Sequence, residues 1–447
     1  MELNENQKLL NSENKVLAPA TRIQYFDLVV ASGKGAVLTD LDGKEYVDLL
    51  ASASATNTGH SHPHVVEAIC QQAKQIIQYT PAYFANEPAA RLATRLAELA
   101  PISGPVRVGW GNSGSDANDA IIKYARAYTK RPYIVSFTGA YHGSTYGSIS
   151  ISAVSLNMSR KIGPLLPDIV KVPYPDPSKK PANETLNDFV DRYWEAFKLP
   201  FETYLPVEEV AAIIIEPIQG DGGIIKAPDE YMQRLYKFAH DHGILFAIDE
   251  VNQGLGRTGK WWSIQHFNLE PDIMTVGKSI ASGLPLSAVI GRAEILDSLD
   301  SPANTYTTAG NPVTTAAANA TLDVIENEHL VERSEKLGKL AQEFFDQEKD
   351  KYDFIGDVRF YGLNGGVDIV DPQTHQPDSD ATNMIIYRMF ELGVVVISLR
   401  GYTLRIQPPL VITEEQLQHV FTAFKQTFSE LAAGKLSLPE NADQMGW

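Results

Sequence analysis

Apolar positions in this chain come in short unbroken runs set between stretches with helical spacing. Segments such as Ala211–Glu216 and Ile244–Asp249 read as strands buried on both faces, and from about residue 80 to about 330 they alternate with helical stretches. That alternation predicts an α/β domain: a mostly parallel sheet covered by helices on both sides. Residues 36–50 read as a hairpin, because β-prone runs flank Asp42-Gly43, where glycine tolerates positive φ. Near the end, Leu417, Val420, Phe421, Phe424, Phe428 and Leu431 recur at helical spacing behind a capping box formed by Thr413 and Gln416. The expected organisation is residues 1–79 as the N-terminal part of a small domain, 80–334 as a large domain and 335–447 as the C-terminal small domain, of α+β type. Residues 174–206, rich in proline and charge with one helix-like piece at Leu186–Phe197, read as a surface excursion from the large domain.

Composition narrows the function. The 447 residues carry a formal net charge of −17, which argues against nucleic acid or anionic membranes as partners, since both attract basic patches. An apolar fraction of 44% supports large cores, and no apolar run approaches the roughly 20 residues of a membrane span. Cys70 is the single cysteine, and Met1-Glu2-Leu3-Asn4-Glu5-Asn6 lacks the basic and apolar regions of a leader. A cytoplasmic enzyme acting on small molecules is the expectation.

The candidate chemistry centres on Asp249 and Lys278. One ends the run Ile244–Ile248 and the other follows Pro271–Gly277, so both fall at the carboxyl ends of successive strands, where ligands gather in open α/β sheets. A lysine amine there can hold the aldehyde of pyridoxal phosphate as a Schiff base, while a buried carboxylate keeps the pyridine nitrogen protonated. Either residue alone is weak evidence, since a strand-end Asp is often a helix cap and most lysines are surface charges. Small residues Ser113-Gly114-Ser115 open a predicted helix, a place suited either to a phosphate or to a plain serine cap.

The surroundings are more specific. Asp249–Gly259 through Gly283–Val289, with Gly111–Asn118, Tyr141-His142-Gly143, Glu216–Gly220, Thr307–Pro312 and Leu404–Leu410, resemble the class III aminotransferases over nearly the whole chain. The resemblance implies the fold-type I pyridoxal phosphate transferase architecture and a homodimer, or a dimer of dimers, with the site at the subunit interface. It further implies the cofactor phosphate on Ser113, Gly114 and Ser115, and Tyr141 stacked on the ring with His142 beside it. Thr307 is implied to reach the phosphate from the other subunit. Asn252 departs from the usual Gln that reaches the ring hydroxyl; the shorter amide loses that bond or uses a water. Ser144 stands where many relatives that use glutamate carry an Arg, so a dicarboxylate would leave a charge poorly paired at a cost of roughly 3 kcal/mol. Arg405 and Asp221 match an arginine–glutamate pair that opens for an α-carboxylate in several relatives; a plain buried salt bridge is the alternative. Tyr25, Phe26, Tyr83 and Phe84 are implied as aromatic walls, with Tyr25 and Tyr83 as substrate contacts, although core packing is their commoner use. Glu216 is expected to be structural.

Three motifs mislead. Gly254-Leu255-Gly256-Arg257-Thr258-Gly259 fits the dinucleotide fingerprint, but Lys260-Trp261-Trp262 follows where a helix should open. Gly277-Lys278-Ser279 lacks the first glycine of a P-loop, and His60, His62 and His64 read as a turn into a helix instead of a metal site.

Within the family, Gln219–Gly223, Asp249–Gly254, Leu363–Gly366 and Tyr141–Thr145 are most similar to the isoleucine 2-epimerase group. This implies epimerisation or racemisation at Cα of aliphatic, branched-chain amino acids, with Lys278 and Asp221 as catalytic residues. A class III aminotransferase using pyruvate or an ω-amine shares every step up to loss of the α-proton. A noncatalytic cofactor-binding module is disfavoured by the intact Lys278 and Asp249.

Overall fold

The computed structural model describes residues 4–23 and 25–438; Met1–Leu3 of the segment read as lacking a leader lie outside them. A seven-stranded sheet forms the centre, its strands beginning, in order across it, at Val106, Ser287, Ile273, Leu245, Val210, Tyr133 and Ile169. Only Ser287–Arg292 runs against its neighbours. The cause is its link, Gly277–Leu286, which is shorter than the dozen or so residues of a helical crossover. Val210–Ile215 is buried at every position, which is why its sequence is continuously apolar.

Both ends of the chain build smaller sheets. The hairpin of Val37–Asp40 and Glu45–Asp48 turns at Gly43, where φ is +83°, and Val394–Val395 joins Glu45–Asp48 in parallel. A second sheet orders Ile355–Phe360, Gly365–Ile369, Thr403–Ile406 and Ile397–Leu399, and it carries Arg405 toward the central sheet. Both bonds of the Thr413/Gln416 capping box form, and the helix runs Glu414–Ala432. No described helix is long and apolar enough to cross a membrane.

Two features depart from the sequence reading. The excursion at 174–206 is bound into the core: its helix runs Leu186–Thr203, and Phe189, Val190 and Phe197 are fully buried. Phe197 meets Phe238 edge-on at 5.2 Å, so the charged sequence belongs to one face of an amphipathic helix. The second feature is a left-handed turn made without glycine. Ala51, Ser52, Ala53 and Ser54 have φ of +47°, +50°, +57° and +69°, at roughly 1–2 kcal/mol of strain per residue. Asp48 holds its entry by accepting from Leu50 N at 2.7 Å and Ala51 N at 3.0 Å.

Gly338, inside the helix Leu330–Lys349, lies so close to Gly362 that a Cβ there would sit 2.1 Å from the Gly362 carbonyl oxygen. Gly338→Ala gains about 1 kcal/mol of helix propensity but forces two backbones apart, so a net loss of about 1–2 kcal/mol is expected. A lower urea midpoint at unchanged slope is the predicted result; an unchanged or higher midpoint would show that the helix and the 362 turn separate freely.

Candidate active site

The carboxyl ends of the parallel strands converge on a cavity of about 150 Å³ lined by Gly114, Ser115, Asn118, Tyr141, His142, Glu216, Asp221, Asp249, Asn252 and Lys278. Most of the site residues expected from the sequence thus meet in one place. Ser113 stands at their edge as the N-cap of the helix Gly114–Thr129, in a reciprocal capping box with Asp116.

Asp249 is almost completely buried and fully engaged. Its Oδ2 faces His142 Nδ1 at 2.7 Å and accepts from Asn118 Nδ2 at 2.8 Å; its Oδ1 accepts from Val251 N at 2.9 Å and Thr275 Oγ1 at 3.2 Å. Burial alone would raise its pKa, but His142 and these bonds outweigh it and hold the carboxyl below its usual range. Glu216 ends the neighbouring strand and goes the other way. Burial pushes it up to about 7, Asp249 adds to the effect and His142 opposes it. Glu216 accepts from Tyr141 N at 3.1 Å and Gly220 N at 2.9 Å, so it fixes the backbone of the residue expected to stack on the cofactor.

Lys278 has a left-handed backbone, φ +48°, the kind of outlier that persists only where the surroundings enforce it. Burial holds its amine below the ordinary lysine range, with Arg405 adding to this and Asp221 opposing it. Arg405 Nη1 donates to Asp221 Oδ1 at 2.9 Å. Asn252 connects the groups: with its amide oxygen turned toward the cations, it accepts from Lys278 Nζ at 2.7 Å and Arg405 Nη2 at 3.1 Å. The amide that departs from the family pattern is therefore committed to the lysine and the arginine.

The residues present fit pyridoxal phosphate. A carboxylate kept ionised in a dry pocket suits a pyridinium nitrogen, and a depressed lysine suits an aldehyde. The 16-residue helix Gly114–Thr129 points its free N–H groups at the cavity. The cradle is tight: a Cβ on Gly114 would lie 2.7 Å from Val251 Cγ1, and one on Gly143 would lie 2.2 Å from Ser115 Oγ.

Other expected contacts lie apart. Tyr25 donates to Ser398 O at 2.9 Å; burial pushes it up to about 12, with Arg405 and Asp221 both acting on it, so it borders that pair. Phe26 is not a wall, because it stacks on Phe390 at 4.4 Å inside the core. Tyr83 and Thr307 are exposed and outside the cavity; the Thr307 carbonyl accepts from Gln78 Nε2 at 2.9 Å. Among the described residues no cluster suited to a metal ion occurs. Asn118 and Thr275 complete the Asp249 shell and Gln407 meets Arg405; no local signal singles them out in the sequence, although Asn118 and Gln407 lie inside the motifs Gly111–Asn118 and Leu404–Leu410.

The chain is 57% identical to isoleucine 2-epimerase of Lentilactobacillus buchneri, covering 100% of this chain and 99% of that one. It is 41% identical to leucine/methionine racemase of Thermococcus litoralis, over 96% of this chain and 97% of the racemase. Among solved structures, a transaminase from the marine bacterium Virgibacillus superposes with a TM-score of 0.86 at 29% identity, covering 95% of this chain and 100% of that one. The family model described as aminotransferase class-III matches residues 19–428, and the chain belongs to that family.

Proposed function

We propose that the protein is a pyridoxal phosphate-dependent racemase or epimerase acting at Cα of aliphatic, branched-chain amino acids such as isoleucine. The observation that carries the reading is that a lysine and a carboxylate, Lys278 and Asp221, line one cavity beside a buried guanidinium, Arg405. When bound, the cofactor draws electrons from the substrate's Cα–H bond and so acidifies it. Lys278 removes the proton, and its depressed pKa makes the neutral amine available closer to neutral pH than for an ordinary lysine. Arg405 receives the α-carboxylate, and Asp221 passes to the opposite face of Cα a proton drawn from solvent, the proton on Lys278 returning to solvent to close the cycle. Asp249, held ionised by His142, Asn118 and Thr275, would hold the ring nitrogen, while Ser113, Gly114 and Ser115 would seat the phosphate. A small-residue position at Ser144 leaves no second cation for a distal carboxylate, which favours an apolar side chain. The transaminase relative supports a second reading, transamination, which differs in requiring an amino acceptor such as pyruvate.

The working unit in this reading is a homodimer. Thr307 is exposed, and Ile77, Tyr79, Tyr83 and Phe84 beside it present a large apolar surface suited to a second copy. Thr307 would then meet the phosphate of the other subunit, and Tyr83 its substrate. The lone cysteine fits a reducing cytoplasm.

With L-isoleucine in deuterated water and no keto acid, the holoenzyme is expected to give the Cα epimer carrying deuterium. Lys278→Ala should give none, and Asp221→Asn should exchange the α-hydrogen with far less inversion. Keto acid accumulating only with pyruvate, and no epimer on chiral chromatography, would install the transaminase reading instead. Asp249→Asn should retain part of the cofactor yet lose much more than about threefold in turnover; a loss within that factor, about 0.6 kcal/mol of barrier, contradicts its role. Thr307→Ala should weaken cofactor retention, and mixing it with Lys278→Ala protein should restore some activity through mixed dimers. No recovery after demonstrated subunit exchange would confine Thr307 to its own chain.

A further inference from the structure

The glycine-rich motif Gly254–Gly259, excluded as a dinucleotide fingerprint, surrounds a fully buried guanidinium. Arg257 donates to four neutral oxygens: Ser54 Oγ at 3.1 Å, Asn57 Oδ1 at 2.6 Å, Leu363 O at 2.9 Å and Pro408 O at 2.6 Å. Burial pushes it down to about 9, and nearby Arg405 adds to that. So costly a placement calls for a use.

The four acceptors lie on three segments, and each segment leads to the site. Ser54 closes the left-handed turn and donates to the Asn252 carbonyl oxygen at 2.9 Å. Pro408 follows Gln407, which meets Arg405; Leu363 precedes Asn364, which donates to Gln253 Oε1 at 2.6 Å, next to Asn252. Asn252 in turn faces Lys278 Nζ at 2.7 Å and Arg405 at 3.1 Å. We propose that Arg257 is a positioning residue for proton transfer: by tying these segments together through Ser54 it fixes Asn252, and through Asn252 the placement of Lys278 relative to Arg405. A lysine at 257 carries its donors on one nitrogen and does not span acceptors on three segments. The role rests on the proton-transfer function proposed for Lys278.

The test uses holoenzymes of Ser54→Ala, Arg257→Lys and Asn252→Ala, with three readouts: thermal midpoint, the pH midpoint of the visible absorption band without substrate, and KM and kcat separately. An oxygen accepting from Nζ favours the protonated form, so displacing it moves the absorption midpoint to lower pH. Ser54→Ala is expected to shift it by about half a pH unit, in the same direction as and less than Asn252→Ala, with a lowered thermal midpoint because a buried guanidinium N–H loses its acceptor. KM for the amino acid should rise about fivefold, more than kcat falls, because Arg405 is misplaced for its carboxylate. A Ser54→Ala enzyme that keeps the wild-type absorption midpoint and KM, whatever its thermal midpoint, overturns the proposal. Should Arg257→Lys fail to fold, Ser54→Ala decides alone. Absence of epimerisation in the wild type would overturn the functional reading, while the absorption midpoint, read without turnover, still decides on Arg257.

Discussion

Ionisable groups at the carboxyl edge of the central sheet are removed from water, and their charge is set by neighbours. Asp249 and Glu216 end adjacent strands and are both buried, yet their acidities move in opposite directions. The difference lies in what faces them. Asp249 has His142, Asn118, Thr275 and a backbone N–H, enough to overcome desolvation; Glu216 has two backbone N–H groups and a carboxylate already ionised nearby. Two like charges so close favour ionising one before the other. Glu250 repeats the pattern: with N–H bonds from Ser263 and Ile264, burial still pushes it up to about 7.

The same constraint explains why the site is rigid. A buried ion pair such as Asp221–Arg405 contributes little net stability, because desolvation offsets most of the attraction. Its value lies in holding two charges in a known place. Arg405, Gln407, Asn364 and Gln253 form one chain of polar contacts, and Asn252 adds Lys278 to it. Left-handed backbone at Lys278 borders this network, and that at Ala51–Ser54 is held at its two ends by bonds to Asp48 and from Arg257.

Much of this was legible in the sequence, for identifiable reasons. Central strands are apolar throughout, so Val210–Ile215 and Leu245–Asp249 announce themselves, and the residues at their ends are located with them. The capping box at Thr413 and the turn at Gly43 are local signals read within a few residues. The features that local sequence does not mark depend on partners distant in sequence. Arg257 bonds Ser54 and Pro408, 203 and 151 residues away, and nothing local distinguishes it from a loop arginine. The left-handed turn is written in alanine and serine, which carry no positive-φ signature. In 174–206 the prolines and charges mask Phe189, Val190 and Phe197, which stand at helical spacing and are buried.

A family able to move protons in several ways needs little alteration to change the outcome. Loss of the α-proton requires only the lysine, the electron sink and a held carboxylate, all of which class III architecture supplies. The fate of the carbanion then depends on which group next meets Cα. A proton returned by the carrier that removed it, to the same face, regenerates the starting amino acid, and one delivered to the cofactor commits the enzyme to an amino acceptor. Inversion needs a second carrier in the same dry cavity. Asp221 lies there, yet it is paired with Arg405, the group proposed to receive the carboxylate. An arginine drawn toward an incoming carboxylate weakens its hold on Asp221, so on this reading recognition of an α-amino acid and readiness of the second proton carrier are linked through one guanidinium. On the same reading an amine without a carboxylate would leave that pair intact, which would make the chemistry selective for amino acids without any further specificity device.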